Sequence, residues 1–372
     1  MNDINSIKYK IFNHRKSLNC IAEVGRKEFK TANYIREYLK SIGVEYEIYL
    51  ETATVGILKG KIGNKTIAFR ADIDGLTTEN GVKHLCGHDG HTSILLGLIE
   101  YIKLNIENLN DNIVFIFQPA EEGPGGAKDL ISEGIFDKYN IDEIYGLHIY
   151  PEIQEGHIGI KDGYFFAQVG DFDIDIKTKS GHGAMPQNGI DGVLIASNLV
   201  NNIQSIISRN ISPLDNAVIT IGKMTVGSRR NIIAENARLE GTIRAFNPKV
   251  YEKIKERIDL ICKGLEKSFD CNIKLYIKDD YPSVYNNKNL YNEFINAIDK
   301  NSIINLEPMM IAEDFSYYQR EVPGLFFMLG SRNESLGFTN GLHSLDFNFR
   351  EEILLDGINT YLKLLKYKNS IN

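Results

Sequence analysis

The sequence predicts an α/β protein, in which a mostly parallel sheet has helices on both faces and a smaller α+β domain is inserted. Strands and helices alternate over residues 46–147, as expected of an open parallel sheet. Residues 112–117 form a nearly continuous apolar run, which is typical of a strand covered on both faces. Between residues 168 and 282 the order becomes β-α-β-β-α-β, the ferredoxin-like pattern. A length of 372 residues also favours two domains.

The first part of the chain predicts two amphipathic helices, then strands alternating with a third helix. Residues 28–42 have apolar side chains at helical spacing and stop before Gly43, a residue that commonly ends helices. A second apolar stripe at helical spacing lies within residues 92–103. The elements predicted up to residue 147 are helices at 5–19, 28–42 and 92–103, and strands at 46–50, 55–59, 66–71, 112–117 and 143–147.

The middle of the chain predicts a separate domain. Asn247 and Pro248 supply an N-cap and a first-turn proline for a helix that reaches about residue 269. The predicted elements are strands at 169–178, 217–224, 237–246 and 272–278, helices at 190–208 and 248–269, then helices near 289–300, 312–320 and 351–366 and a strand at 325–329. The prediction is therefore one domain formed by residues 1–167 and 283–372, and an inserted domain at 168–282.

Composition and charge argue against several classes of function. A net charge of −7 offers no basis for binding nucleic acid or an anionic membrane. The longest apolar runs are far too short to span a bilayer, and residues 1–6 show no start of a secretory signal peptide. The four cysteines have no paired spacing, which favours reduced thiols and a cytoplasmic protein.

Potential metal ligands are concentrated in the stretch Cys86-Gly87-His88-Asp89-Gly90-His91, just before a predicted helix. Thiolate, imidazole and carboxylate are good donors for Zn²⁺ or Mn²⁺, although such a stretch taken alone is more often a polar loop. Further ligands or bases follow predicted strands, namely Asp72 and Asp74, Glu121 and Glu122, His148, and His343. Because ligands bind beyond the carboxyl ends of parallel strands, these side chains are predicted to converge.

Seven motifs follow one another along the chain. They are Arg70-Ala71-Asp72-Ile73-Asp74, Cys86-Gly87-His88-Asp89-Gly90-His91, Gln118-Pro119-Ala120-Glu121-Glu122-Gly123, Gly146-Leu147-His148, Ser180-Gly181-His182-Gly183-Ala184-Met185-Pro186, Glu240-Gly241-Thr242-Ile243-Arg244 and Ala312-Glu313-Asp314-Phe315. Together they resemble the M20 metallopeptidase/amidohydrolase family, particularly its branch of N-acyl-amino-acid deacylases, hippurate hydrolases and N-acetyldiaminopimelate deacetylases. The resemblance covers nearly the whole chain.

The resemblance implies two divalent metal ions per subunit, zinc or manganese, with nickel or cobalt as alternatives. The implied ligands are Cys86, His88, Glu122, His148 and His343. Five side chains leave coordination positions open for water and substrate, as a catalytic site requires. Neighbouring side chains on extended backbone point apart, so Glu121 and Glu122 cannot share one role. The resemblance assigns Glu122 to metal and Glu121 to general acid–base catalysis, while Asp74 would orient a ligand histidine.

Three further residues of the predicted inserted domain receive roles from the resemblance. His182 would reach the active site of a partner subunit and stabilise the oxyanion. Asn231 and Arg244 would bind the free carboxylate of the substrate, since arginine binds carboxylates in a two-pronged geometry. Arg229 and Arg230 remain alternatives to Arg244. The inserted domain would also form a homodimer or a higher oligomer.

The expected activity is hydrolysis of the amide bond of an N-acyl-L-amino acid by a metal-activated water, as in N-acetyldiaminopimelate deacetylases or hippurate hydrolases. A dipeptidase or carboxypeptidase on the same scaffold is the alternative enzyme. The alternative of another class is a protein that only binds a metal or an amino acid. Glu121 argues against that alternative, because a pure binding site needs no general base.

Overall fold

The structure, a computed structural model, describes residues 4–372. Residues 1–3, which begin the stretch inspected for a signal peptide, lie outside the described residues. The chain divides into two compact units. The larger unit comprises residues 4–163, Tyr285–Glu307 and Asp314–Asn372, and the smaller unit comprises Tyr164–Val284 and Pro308–Glu313. Residues 168–282, predicted as an inserted domain, lie within the smaller unit.

The bounds of the strands and helices are as follows. The strands are β1 (Glu47–Tyr49), β2 (Ala53–Leu58), β3 (Thr66–Asp72), β4 (Leu76–Thr78), β5 (Gly81–Lys83), β6 (Asn112–Gln118), β7 (Glu143–Gln154), β8 (Ile158–Ile160), β9 (Gly163–Phe166), β10 (Gln168–Lys177), β11 (Gly181–His182), β12 (Ala217–Val226), β13 (Ile232–Ile233), β14 (Asn236–Ala245), β15 (Asn272–Asp279), β16 (Val284–Asn286), β17 (Ile303–Asn305) and β18 (Gly324–Arg332). The helices are α1 (Lys8–Asn19), α2 (Phe29–Ser41), α3 (His88–Leu104), α4 (Ala127–Ser132), α5 (Ile135–Tyr139), α6 (Gly192–Asn210), α7 (Pro248–Phe269), α8 (Lys288–Ala297), α9 (Tyr318–Glu321) and α10 (Glu352–Tyr367). Among residues 4–372, none of these helices combines the length and apolar character that crossing a membrane requires.

The larger unit is built on an eight-stranded sheet in the order β1-β2-β6-β3-β7-β18-β8-β17. Its centre is parallel, with β3 between β6 and β7, and with β18 beside β7 in the same direction. Antiparallel pairs flank this centre, where β2 pairs with β1 and β6, and β8 pairs with β18. The sheet is mixed but mostly parallel, which confirms the predicted fold class.

Helices cover both faces of this sheet. Phe327 on β18 packs against Phe294 of α8 and Tyr361 of α10, with ring centroids 4.8 and 5.6 Å away. The preceding residue, Phe326, packs against Phe315, with ring centroids 5.1 Å apart. Successive side chains of a strand point to opposite faces, so both faces of β18 are buried against aromatic rings. Burial on both faces explains why the central strands are continuous apolar runs.

Helix α3 begins at His88, whereas the sequence predicts a start at residue 92. Its N-cap is Gly87, whose φ of 84° is a left-handed conformation that glycine adopts without strain. Gly90 has no room for a side chain, because a Cβ would lie 2.4 Å from Cδ1 of Ile149 on β7. This close packing places His88 and His91 in the first turn of a helix and not in a loop.

The smaller unit contains a four-stranded antiparallel sheet in the order β12-β14-β10-β15. Together with α6 and α7 the chain order is β10-α6-β12-β14-α7-β15, which is the ferredoxin-like pattern. The carboxylate of Asp191 caps α6 and the amide oxygen of Asn247 caps α7. Leu199 of α6 and Ile254 of α7 are fully buried in the core between helices and sheet. The predicted α+β fold of the inserted domain is therefore correct.

Candidate metal centre

Five side chains predicted to bind metal come together in the larger unit. The Sγ atom of Cys86 lies 3.4 Å from Nε2 of His148 and 3.3 Å from Nε2 of His343. The Oε1 atom of Glu122 lies 3.4 Å from Nε2 of His343 and 3.9 Å from Nε2 of His88. Two overlapping groups result, Cys86–His88–His148 and Cys86–Glu122–His343, each with its ligand atoms within 4.8 Å of one another. This arrangement can hold two neighbouring cations.

Asp74, which follows β3, orders two of these groups. Nδ1 of His88 lies 3.0 Å from the carbonyl oxygen of Asp74 and 3.2 Å from its Oδ1. Both partners are acceptors, so Nδ1 carries a proton, and in the neutral ring, the form that binds a metal, Nε2 presents its lone pair to the centre. The other oxygen, Oδ2, accepts the backbone N–H of Glu122 at 3.0 Å. One carboxylate therefore orients a histidine and anchors the backbone of a glutamate.

His148 and His91 form a second ordered pair. Nδ1 of His148 donates to the carbonyl oxygen of Ile149 at 2.7 Å, so the Nε2 lone pair faces Cys86. Nδ1 of His91 donates to Oδ1 of Asp72 at 2.6 Å, and its Nε2 accepts the Ile149 N–H at 2.9 Å. The sequence marks Asp72 and His91 as possible ligands or bases, but it does not predict the hydrogen bonds that join them to each other and to β7. The signal that could have found them is the i, i+3 spacing of His88 and His91 on one helix face.

His343 enters the centre from the loop that follows β18. Its side chain is 57% exposed, and its φ of 65° is unusual for a residue other than glycine. Its backbone N–H donates to the carbonyl oxygen of Leu85 at 2.8 Å. Because Leu85 precedes Cys86, this hydrogen bond brings the loop into reach of the thiol.

Arg70 connects the centre to a buried ionic network. Its guanidinium donates to Oδ2 of Asp72 and to Oδ1 of Asp314, both at 2.8 Å. Oδ2 of Asp314 also accepts the backbone N–H groups of Gly126 and Ala127, each at 3.0 Å. Asp314 therefore binds the start of α4, and the network fixes the loops after β3 and β6 relative to each other.

Burial and charge shift the pKa values of the centre in different directions. Burial lowers the pKa of His148 well below its usual value. Burial also opposes charge on His88, but the nearby Asp72 carboxylate, Asp74 and Cys86 together outweigh it and raise the pKa of His88. Burial raises the pKa of the Cys86 thiol. Although burial opposes its charge, His88 and Arg70 hold the pKa of Asp72 well below its usual range. Asp72 is thus a buried anion next to the ligands.

The donor atoms fit divalent cations. Nε2 of His88 and Oε1 of Glu122 are buried, and neither has a hydrogen-bond partner within residues 4–372. Leaving such an atom unsatisfied costs about 1–3 kcal/mol, and a cation between the two would satisfy both. Imidazole, thiolate and carboxylate suit zinc, and the nitrogen and oxygen donors also suit manganese, nickel or cobalt.

Glu121 lies beside these donors. Its side chain is 8% exposed, and one carboxylate oxygen lies within 4.8 Å of ligand atoms of His88 and Glu122. The residue before it, Ala120, has a left-handed backbone with a φ of 60°. The chain therefore turns sharply at Ala120, just after β6, and the two glutamates follow the turn.

His182 and Asn231 lie in the smaller unit. The backbone N–H of Gly183 donates to the carbonyl oxygen of Asn231 at 2.9 Å, so the two predicted site residues are on adjoining segments. Nδ1 of His182 accepts the backbone N–H of Ala184 at 3.1 Å. With Nδ1 acting as the acceptor, the neutral ring carries its proton on Nε2.

Arg244 also lies in the smaller unit, on β14. Its Nε donates to the carbonyl oxygen of Met310 at 3.0 Å, and an η nitrogen donates to Oγ1 of Thr242 at 2.6 Å. Arg229 and Arg230, the alternatives to Arg244, are exposed. The contacts to Met310 and Thr242 hold the guanidinium of Arg244 in a defined orientation.

The fold and the centre together define a metal-dependent amidohydrolase. The model of peptidase family M20/M25/M40 matches residues 68–367, and the chain belongs to this family. It is similar to an N-acetyldiaminopimelate deacetylase from Anoxybacillus flavithermus (strain DSM 21510 / WK1), with 39% identity over 375 residues that cover 96% of this chain and 97% of the relative.

Two solved structures resemble the whole chain. One is of a protein from methicillin-resistant Staphylococcus aureus assigned to the aminohydrolases, with a TM-score of 0.92, 29% identity, and 98% of this chain and 97% of the other covered. The other is the Bacillus subtilis YXEP protein, a dinuclear metal binding peptidase from the M20 family, with a TM-score of 0.84, 27% identity, and 97% and 98% covered. The predicted family, fold class and hydrolase activity are thereby confirmed.

Proposed function

We propose that this chain removes the acyl group from an N-acyl-L-amino acid, and that N-acetyldiaminopimelate is the first substrate to test. The observation that carries the proposal is the convergence of five candidate metal ligands with Glu121 at one site of the larger unit. The choice of substrate is supported by the 39% identical relative, which is a deacetylase of that compound. Hippurate is the second acylated amino acid to test.

The centre would hold two divalent cations, zinc or manganese, with nickel or cobalt as alternatives. The side chains that would hold them are Cys86, His88, Glu122, His148 and His343. Such ions, when bound, polarise an amide carbonyl and make water a nucleophile at neutral pH. Asp74 supports the centre by keeping the proton of His88 on Nδ1.

Glu121 is the proposed general base and acid. Its carboxylate takes a proton from the attacking water and returns it to the leaving amine. His182 stabilises the oxyanion in the active site of a partner subunit, a role supported by the N–H that its Nε2 retains when Nδ1 accepts from Ala184. Asn231 and Arg244 bind the carboxylate of the substrate, and the fork of arginine suits this task.

The smaller unit is the proposed dimerisation and lid domain. Its strand β12 lies at an edge of the four-stranded sheet, where the backbone can pair with another chain. Val193 and Leu194 in the first turn of α6 are 49% and 52% exposed. Exposed apolar residues and an unpaired sheet edge in one domain favour a homodimer, or a higher oligomer, through this domain.

A cytoplasmic location is also proposed. Four free cysteines, one of them the candidate ligand Cys86, suit a compartment that keeps thiols reduced.

The replacement Glu121→Gln tests the mechanism. Amine release from N-acetyldiaminopimelate and hippurate should fall about 10²- to 10⁴-fold, while the bound metal measured by elemental analysis stays at the wild-type level. The matched control is Glu122→Gln, which should lose metal as well as activity. Turnover of Glu121→Gln at the wild-type rate would remove Glu121 from the mechanism. Faster cleavage of dipeptides than of every acylated amino acid, with any of the four metals, would favour a peptidase.

A further inference from the structure

The loop between α1 and α2 is pressed against the loop that follows β6, residues 119–126, here called the β6 loop. A Cβ atom on Gly25 would lie 2.6 Å from the carbonyl oxygen of Gly123 and 3.0 Å from Cα of Ala120. The guanidinium of Arg26 donates to the carbonyl oxygen of Gly125 at 2.9 Å. At Gly25 there is room for backbone alone, so the α1–α2 loop lies close enough to support the β6 loop.

Glu28 makes the central contact between these loops. Its side chain is fully buried, and Oε1 accepts two backbone N–H groups, from Arg26 at 3.0 Å and from Ala120 at 2.9 Å. The first bond closes a local turn, whereas the second joins residues 92 positions apart. A buried carboxylate needs such hydrogen bonds, because burial without them is strongly unfavourable.

Ala120 is the residue whose conformation this contact holds. A non-glycine residue in the left-handed region costs roughly 1–2 kcal/mol, so the surrounding structure must maintain a φ of 60°. The N–H of Ala120 is bound by Glu28, and its carbonyl oxygen accepts the N–H of Gly125 at 3.0 Å. Glu121 comes next in the chain, so the direction of its side chain depends on this turn.

We propose that Glu28 is a positioning residue, which holds the N–H of Ala120 and thereby aims the Glu121 carboxylate at the reacting water. The inference rests on the proposed function, in which Glu121 moves the proton. Glu28 acts through backbone and belongs to none of the ligand groups of the centre. If Ala120 relaxes towards an ordinary conformation, the Glu121 carboxylate moves, and a displacement of about 1 Å can reduce a rate about 10²-fold.

The first test compares Glu28→Ala with Glu28→Gln. In Glu28→Ala, kcat for amine release should fall about 10- to 100-fold, with KM and bound metal unchanged. Glu28→Gln retains an oxygen that accepts both N–H groups, so its kcat should stay within about threefold of wild type. The matched control is Glu143→Ala, which removes another buried glutamate of the larger unit, paired with Lys368 at 3.0 Å. It should lower stability and leave kcat unchanged.

The second test asks whether the effect passes through Ala120. Glycine adopts a left-handed backbone without strain, so adding Ala120→Gly to Glu28→Ala should raise kcat about 3- to 10-fold above Glu28→Ala alone. A purely structural role for Glu28 predicts no such rescue. If Glu28→Ala does not fold, Glu28→Asp replaces it, because the shorter side chain withdraws the oxygen from Ala120.

The outcomes separate this inference from the proposed function. The inference is overturned if Glu28→Ala has the kcat of wild type. It is also overturned if Glu28→Ala loses both kcat and bound metal and the addition of Ala120→Gly does not restore them. An inactive Glu121→Gln alongside a fully active Glu28→Ala refutes the inference alone. An active Glu121→Gln refutes the proposed function, whatever Glu28→Ala does.

Discussion

Replacing His14 by glutamine should remove a pH-dependent part of the stability of the larger unit. His14 lies on α1 and is 4% exposed. Its Nδ1 is 2.8 Å from the hydroxyl of Tyr34, and its ring packs edge-on against Tyr38 with centroids 4.1 Å apart. Burial lowers the pKa of His14 to about 4, although the charge of Glu100 acts in the opposite direction and that of Lys10 in the same one.

The size of the effect follows from the two pKa values of His14. The pKa is 6.5 in the unfolded chain and about 4 in the folded protein, and each unit corresponds to about 1.4 kcal/mol. The unfolded state takes up a proton below pH 6.5, whereas the folded state does so only below about pH 4. The free energy of unfolding is therefore highest above pH 7, about 2 kcal/mol lower at pH 5, and about 3 kcal/mol lower below pH 4.

The assay is urea unfolding of the metal-loaded protein at pH 8 and pH 5, followed by far-ultraviolet circular dichroism, because the sequence contains no tryptophan. Wild type should lose about 2 kcal/mol more than His14→Gln between the two pH values. The glutamine can still hydrogen-bond to Tyr34, and the histidines of the metal centre are the same in both proteins. Equal losses in the two proteins would refute the reasoning.

Three further outcomes are expected. Removal of metal by a chelator should abolish amine release until zinc or manganese is restored. If the metal had been present at 100 times its Kd, its removal should also lower the free energy of unfolding by about 3 kcal/mol. Full activity in the presence of chelator would contradict the metal centre. Gly90→Ala should lower the free energy of unfolding by about 1–3 kcal/mol and weaken metal binding, because its Cβ would lie 2.4 Å from Ile149 and move the first turn of α3. An unchanged metal content and urea midpoint would show that the helix accommodates the added methyl group without cost. Arg70→Leu should lower the free energy of unfolding in urea by about 3–5 kcal/mol, because Asp72 and Asp314 lose the buried guanidinium that pairs with both. A smaller loss would mean that the two carboxylates bind protons instead.

The fold could be predicted wherever the apolar pattern is long enough to have a period. The run at 112–117 appears as β6 (Asn112–Gln118), and the stripe at 28–42 appears as α2 (Phe29–Ser41). The three-residue strands β8 and β17 were not predicted, because so few residues show no periodicity. The predicted helix at 312–320 is instead a 3₁₀ turn at Asp314–Tyr317 followed by α9. The Asp314 carboxylate accepts backbone N–H groups at the start of another helix, α4, and does not cap the segment that it begins.

Several candidate side chains, Glu122 and His148 among them, could be singled out because they follow predicted strands, which meet at one edge of a parallel sheet. The resemblance to the M20 family implied the full set of ligands, including Cys86 and His88. The roles of their neighbours could not be predicted. His91 binds Asp72 only because α3 begins early enough to place both His88 and His91 on its first turn. The segment Pro308–Glu313, which lies in the smaller unit, also falls outside the predicted boundaries of the inserted domain.

The order of strands and helices, the inserted ferredoxin-like pattern, and a set of thiol, imidazole and carboxylate groups suited to divalent cations can all be read from the amino-acid sequence. Those properties depend on local periodicity and residue chemistry. The packing of the folded chain was needed to show which histidine nitrogen faces the centre and which buried atoms, among residues 4–372, lack a partner. The same packing brings Glu28 to the N–H of Ala120, 92 positions away in the chain. Such contacts are set by the packing of distant segments, and no local pattern in the chain encodes the partner of a buried polar atom.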